Sequence, residues 1–200
     1  MEFTRHEKMI VGVNLLIVLF FSTFFLLDKN YEFIIYIFVL LALMTLIIIS
    51  HKKFRYSAAV LWALTVWSFL HLVGGGLTYV EGEVFYKLII VPIIGEPYNI
   101  LKYDQVLHFY GFWAATLVVY YVLKPSLRDN LEGKSAILFI VAMASLGLGG
   151  LNEIVEFAAT VSVPDTNVGG YENTAIDLVA DFLGALGAVI YIGCFKLKRS

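Results

Sequence analysis

Long apolar segments restrict the fold of this chain more than any other feature of its sequence. A helix needs about 20 mainly apolar residues to cross a bilayer. Hydrophobic residues make up 60% of the sequence and charged residues 15%, whereas soluble proteins are roughly 45–50% apolar and 25% charged. The pattern predicts an all-α polytopic membrane bundle with six transmembrane helices, at residues 9–27, 32–49, 58–73, 104–123, 135–160 and 174–195.

The distribution of basic residues predicts the orientation of these helices. Short cytoplasmic loops of membrane proteins carry an excess of Lys and Arg. With both termini in the cytoplasm, 11 of the 14 Lys and Arg residues lie in cytoplasmic segments, and the other three are Lys29, Lys87 and Lys102. We therefore expect a multi-pass protein of the cell (plasma) membrane. The net charge of −2 gives no reason to expect a nucleic-acid partner, and the oligomeric state stays open.

Residues 74–103 do not fit a further transmembrane helix. Their apolar run, LIIVPIIG at 88–95, is short and contains Pro92. A seventh crossing would also place the basic tail at 196–199 outside the cell, against the charge distribution. We expect this segment to lie on the outer face or to re-enter the membrane from it.

Ionisable residues separate the first two predicted helices from the last four. Residues 11–27 and 33–49 contain no Asp, Glu, His, Lys or Arg. The chain is therefore predicted to be one integral membrane domain, 1–200, with two accessory lipid-facing spans at 9–57 and a four-helix core with a polar site at 58–195. The lone cysteine, Cys194, excludes an intramolecular disulfide.

Two acidic pairs interrupt the last two apolar segments, within the stretch 146–187. Glu153 and Glu156 are three residues apart, and Asp177 and Asp181 are four apart, so each pair lies on one face of its helix. An uncompensated carboxylate in hydrocarbon costs several kcal/mol, and such residues usually belong to functional sites. These pairs predict a buried acidic site.

The predicted topology brings two histidines and five carboxylates to the outer half of the membrane. So many carboxylates could not all stay ionised in one pocket without a metal, a basic substrate group or bound protons. Oxygen-rich donors with one or two imidazoles favour a divalent metal, namely Mg, Mn, Fe or Zn, among which the sequence does not decide. The predicted metal ligands are His71, Asp104, His108, Glu153, Glu156, Asp177 and Asp181.

Structural explanations compete with this hypothesis at some positions. Asp177 follows the start of its helix, where an acid stabilises the helix dipole by roughly 0.3–1 kcal/mol, and the same applies to Asp104. A histidine such as His71, taken alone, is more often a hydrogen-bonded core residue than a ligand. Asp181 and Glu156 lie at least one turn further into their helices, so this explanation does not apply to them.

Three stretches resemble a known membrane family: YNILKYDQVLHFYGF at 98–112, NEIVEF at 152–157 and YENTAIDLVADFLGALGA at 171–188. They are similar to the YjdF-like inner-membrane proteins, a family of unknown function, and more distantly to VanZ-like proteins. The resemblance covers about the last 140 residues. Through the VanZ-like proteins it implies a link to cell-envelope lipids, and it matches the family pattern at Asp104, His108, Gly111, Glu153, Glu156, Thr174, Asp177 and Gly184.

These observations favour a membrane-embedded, divalent-metal-dependent enzyme that acts on a lipid or lipid-linked substrate by hydrolysis or group transfer. Glu153 or Glu156 would be the catalytic general base towards a water activated by the metal. A small proton- or cation-coupled transporter is the first alternative, because the same carboxylates could bind and release an ion. A structural or partner-binding membrane protein is the second.

Overall fold

The chain is an all-α bundle with one short β-hairpin in the computed structural model, which describes residues 3–80, 82–127, 134–164 and 166–197. Six helices are long and apolar enough to cross a membrane in the described part of the chain. This confirms the predicted six-span fold. The helices are α1 (Arg5–Asp28), α2 (Tyr31–Phe54), α3 (Ala58–Gly76), α4 (Tyr103–Leu123), α5 (Lys134–Ser162) and α6 (Tyr171–Tyr191), and α6 continues as a π-helix over Ile192–Lys196.

Successive helices run in opposite directions, so both described ends of the chain lie at the same end of the bundle. There, His51 Nε2 at the end of α2 lies 3.0 Å from Glu7 Oε1 at the start of α1. Lys134 Nζ at the start of α5 donates to the carbonyl oxygen of Leu197 at 3.2 Å. We call this the terminal end and the other the hairpin end. Three basic residues predicted to be cytoplasmic, Arg128, Lys198 and Arg199, lie outside the described residues.

Local sequence signals set the limits of the first helices. Thr4 and Glu7 form a capping box, in which each side chain accepts a hydrogen bond from the backbone N–H of the other. Asn30 accepts from the backbone N–H of Phe33 at 3.1 Å and begins α2. Lys29 and Arg55 adopt left-handed backbone conformations, with φ of 58° and 52°, directly after α1 and α2. These caps permit the short reversals between α1, α2 and α3.

The connection between α3 and α4 contains the β-hairpin. Strand β1 (Ile89–Ile94) pairs antiparallel with β2 (Ile100–Lys102), with Ile89 opposite Lys102. All six residues of β1 are exposed. Because this segment is a strand pair that returns the chain to the hairpin end, it adds no seventh helix to the described part of the bundle.

Close packing of α6 against α4 sets the position of the polar residues on both helices. A Cβ atom at Gly184 would lie 2.2 Å from the backbone oxygen of Phe109, a distance that no side chain tolerates. Gly184 therefore permits the two backbones to touch, as small residues do between membrane helices. This contact lies one turn from Asp181 on α6 and one residue from His108 on α4.

Candidate metal centre

His108 lies at the centre of the buried polar site. Its Nδ1 lies 2.9 Å from Asp181 Oδ1, and the imidazole is 7% exposed while Asp181 is completely buried. Its other nitrogen, Nε2, lies 3.7 Å from Asp104 Oδ1 and 3.8 Å from Glu156 Oε1. Because Asp181 holds one ring nitrogen, the other is directed towards carboxylates from α4 and α5.

Two groups of side chains around His108 have the geometry of metal ligands. One contains Asp104, His108 and Asp177, and the other contains His108, Glu153 and Glu156. Within each group the donor atoms all lie within 4.8 Å of one another. Metal–nitrogen and metal–oxygen bonds are about 2.0–2.2 Å long, so side-chain movements on the order of 1 Å could close either group on one ion.

Side-chain amides orient three of these carboxylates. Asn152 Nδ2 donates to Glu156 Oε1 at 2.8 Å, across one turn of α5. Asn173 Nδ2 donates to Asp104 Oδ2 at 3.3 Å and also to Asp177 Oδ2, which joins α4 to α6. The oxygen of the same amide, Asn173 Oδ1, accepts from Lys102 Nζ at 2.8 Å. The carboxylates are therefore oriented before any ligand binds.

Negative charge exceeds positive charge in this site. Across the described residues, His108 is the one basic group within ion-pair distance of these carboxylates. Asp177 Oδ1 and Asp181 Oδ2 are fully buried and have no hydrogen-bond partner among the described atoms. Because a buried, unpaired charge is costly, the arrangement calls for a cation or for bound protons.

The polar site borders a small cavity of about 50 Å³. The wall includes side chains from five helices, among them Glu32, His71, Asp104, His108, Glu156 and Asn173. A water needs roughly 10–15 Å³ of such space, so this cavity has room for an ion with a few waters. It is much smaller than the pockets of roughly 300–1,000 Å³ that enclose organic ligands.

His71 lies on the wall of the same cavity but outside both ligand groups. Its Nδ1 lies 2.5 Å from the Tyr86 hydroxyl, and its ring stacks on Trp67 with centroids 5.3 Å apart. Burial, with the nearby carboxylates, raises the pKa of Tyr86, so this phenol stays protonated. Of the seven predicted ligands, the structure thus brings five into the two groups and places His71 beside them and Asp181 behind His108.

Sequence analysis missed several residues that line or brace the cavity. Glu32 of α2 is 5% exposed, and its Oε2 accepts from the backbone N–H of Asn167 at 2.9 Å. No spacing pattern links residues 135 positions apart, so the sequence could not predict this contact. The contacts of Asn152 and Asn173 could have been predicted, because each of these residues precedes a site carboxylate by four positions in its helix.

The acidic residues of the α3–α4 connection, and Glu172 in the first turn of α6, do not join the site where the structure describes them. Glu83 pairs with Lys87 at 2.7 Å, and both side chains are about half exposed. Glu96 and Glu172 are exposed. Glu81 lies outside the described residues.

Comparison with known proteins places the chain among uncharacterised membrane proteins. The family model described as a predicted membrane protein, DUF2238, matches residues 8–198. An uncharacterised protein of Thermotoga maritima is 33% identical over 98 residues, which are 46% of this chain and 50% of that protein. The chain therefore spans about half the length of this curated relative. No solved structure matches this chain. The resemblance of the motifs to an uncharacterised membrane family is confirmed.

Proposed function

This chain belongs to the DUF2238 family of predicted membrane proteins, and from the geometry around His108 we propose that it binds a divalent metal ion between α4, α5 and α6. One observation supports this most strongly: buried Asp181 holds Nδ1 of His108 at 2.9 Å while Nε2 faces two carboxylates. Metal-binding histidines commonly donate their second ring N–H to a carboxylate in this way. A histidine that served packing alone would not need carboxylates facing its Nε2 atom as well.

The proposal gives the predicted ligands different roles. His108 Nε2 would bind the ion together with carboxylates from the two groups described above. Asp181 would orient His108 instead of binding the metal, because its Oδ1 is already occupied by the imidazole. His71 would not bind the metal. It would stay in the cavity wall, where its Nδ1 contacts the Tyr86 hydroxyl. An imidazole with several carboxylates suits Mn, Fe or Zn, and Mg if waters complete its shell.

We further propose that the site serves hydrolysis or group transfer on a lipid or lipid-linked substrate in the cell membrane. A bound ion in such a site acts as a Lewis acid and activates water near neutral pH. Glu156, which Asn152 holds at 2.8 Å, is positioned to accept a proton from the attacking water, and Glu153 is the alternative base. The location of the site inside a bundle of apolar helices supports a substrate that arrives through the bilayer.

Elemental analysis of protein purified without chelator tests the metal proposal. We expect one or two equivalents of a transition metal in the wild type and a clear loss in Asp177→Asn, because Asp177 belongs to a ligand group. Glu172→Gln is the matched control, because Glu172 is exposed and should not alter the metal content. Absence of metal from the wild type, even after incubation with Mn, Fe and Zn, would contradict the proposal of a tight transition-metal site.

A proton- or cation-coupled transporter is the second candidate, and one buried contact favours it. Thr116 Oγ1 donates to Ser145 Oγ at 2.7 Å, two turns from His108 towards the terminal end. This pair would extend a polar path for protons or cations from the site towards the terminal end. Ion flux into liposomes that contain the wild type but not Asp177→Asn would favour transport over catalysis.

A further inference from the structure

An elongated apolar cavity of about 520 Å³ lies beside the candidate metal centre, within the size range of organic-ligand pockets. We propose that this cavity holds the alkyl or isoprenyl chain of one amphiphile, whose polar end reaches the site at His108. The inference rests on the proposed function and narrows it, since it specifies the substrate class as a single-chain amphiphile with its polar group in the outer half of the bundle.

The length of the cavity fits a hydrocarbon chain. Its wall includes α2 residues from Val39 to His51. At 1.5 Å per residue, these 12 steps correspond to about 18 Å along the helix. This is more than half of the roughly 30 Å hydrocarbon thickness of a bilayer, so an extended chain can run from the middle of the bundle towards the terminal end.

The cavity meets the polar site directly. Trp67, Phe112 and Asn152 line both the large apolar cavity and the small polar one. Asn152 also donates to Glu156 Oε1 at 2.8 Å. The polar end of an amphiphile in the large cavity would therefore lie next to the carboxylates that face His108.

Aliphatic side chains form most of the cavity wall, and the central polar groups bond to one another. Asn14 Nδ2 of α1 donates to Thr65 Oγ1 of α3 at 2.7 Å, and Ser68 Oγ donates to Asn14 Oδ1 at 3.3 Å. Cavities with apolar walls stay dry and accept apolar ligands. This wall suits a hydrocarbon chain better than a file of waters.

Binding of hexadecyl phosphate tests the proposal, because it joins a long alkyl chain to oxygens that divalent ions bind. Native mass spectrometry would measure its affinity for the metal-loaded protein in a steroid detergent, whose rigid rings do not compete for a narrow channel. Ala115→Trp places an indole in the cavity and should lower the affinity at least about tenfold. Ala42→Trp makes the same substitution on an exposed face near the middle of α2 and should leave the affinity unchanged.

The wild type provides a test that does not depend on how well a variant folds. Hexadecyl phosphate should bind far more tightly than butyl phosphate, and equal affinities for the two would overturn the proposal, as would unchanged affinity in folded Ala115→Trp. If the metal binds but the long chain does not, this inference alone fails. If the long chain binds, Ala115→Trp abolishes that binding and elemental analysis finds no metal in the wild type, the cavity is confirmed as the chain site and the metal proposal fails.

Discussion

Two buried histidines, at opposite ends of the bundle, have nearly the same first contact and different surroundings. His51 is 2% exposed and lies 3.0 Å from Glu7, whereas His108 is 7% exposed and lies 2.9 Å from Asp181. Among the described residues, His51 has one carboxylate within ion-pair distance, and its ring packs against Tyr56 with centroids 5.8 Å apart. His108 has three carboxylates within that distance, and the carboxylates of Asp177 and Glu153 belong to the same ligand groups.

The surroundings of His51 are those of a contact that joins two helices, whereas the surroundings of His108 are those of a candidate binding site. At the terminal end one imidazole meets one carboxylate, and this contact connects α1 to α2. At His108 the carboxylates outnumber the basic groups that the structure describes there. Because such an excess is costly inside a membrane protein, a cation or protons must compensate for it. The comparison predicts that substitutions at the two histidines affect different properties.

Replacement of the histidines should give the largest contrast. His108→Asn removes the imidazole ligand and should abolish metal binding, whereas His51→Gln should retain the wild-type stoichiometry. Titration of both purified variants with Mn and Zn, followed by elemental analysis, measures this directly. Equal metal content in the two variants would show that the His108 cluster does not hold the ion.

Asp181→Asn should weaken metal binding without abolishing it. Removing the carboxylate partner of a metal-binding histidine typically costs about 10–100-fold in affinity, because the imidazole loses its orientation. The stoichiometry at saturation should stay that of the wild type. Complete loss of metal at saturating concentration would instead make Asp181 a direct ligand, as predicted from the sequence.

Gly149→Ala should reduce stability by crowding Asp181. A Cβ atom at Gly149 would lie 2.4 Å from Asp181 Oδ2. Overpacking of this kind typically costs about 1–3 kcal/mol. Gly147→Ala is the matched control on the same helix, since its Cβ would meet nothing within 4 Å and the helix would gain up to about 1 kcal/mol. Thermal unfolding in detergent should separate the two variants, and identical midpoints would contradict this packing.

His51→Gln should have the smallest effect, confined to stability. A hydrogen bond to a charged group contributes about 1.5–3 kcal/mol, but the Gln amide can still donate to Glu7, and this contact joins only α1 and α2. Thermal unfolding should show a modest decrease in the midpoint, with the metal content retained. A change in metal affinity would mean that the two ends of the bundle are coupled.

The sequence by itself determined the six helices and the helix faces that the acidic pairs share. Hydropathy adds up along each segment, so a run of about 20 apolar residues is recognisable without its neighbours. Spacing of three or four residues also placed Glu153 with Glu156, and Asp177 with Asp181, on common faces. These are local properties, and the structure contains the corresponding helices.

Only the tertiary structure decided which atoms meet. Asp177 and Asp181 look alike in sequence, yet Asp181 bonds to His108 Nδ1 while Asp177 belongs to a ligand group. Glu32 reaches Asn167 across 135 residues. The reason is physical: the rotation of each helix and its distance from its neighbours depend on contacts such as Gly184 against the backbone of Phe109, which no spacing rule within one helix contains.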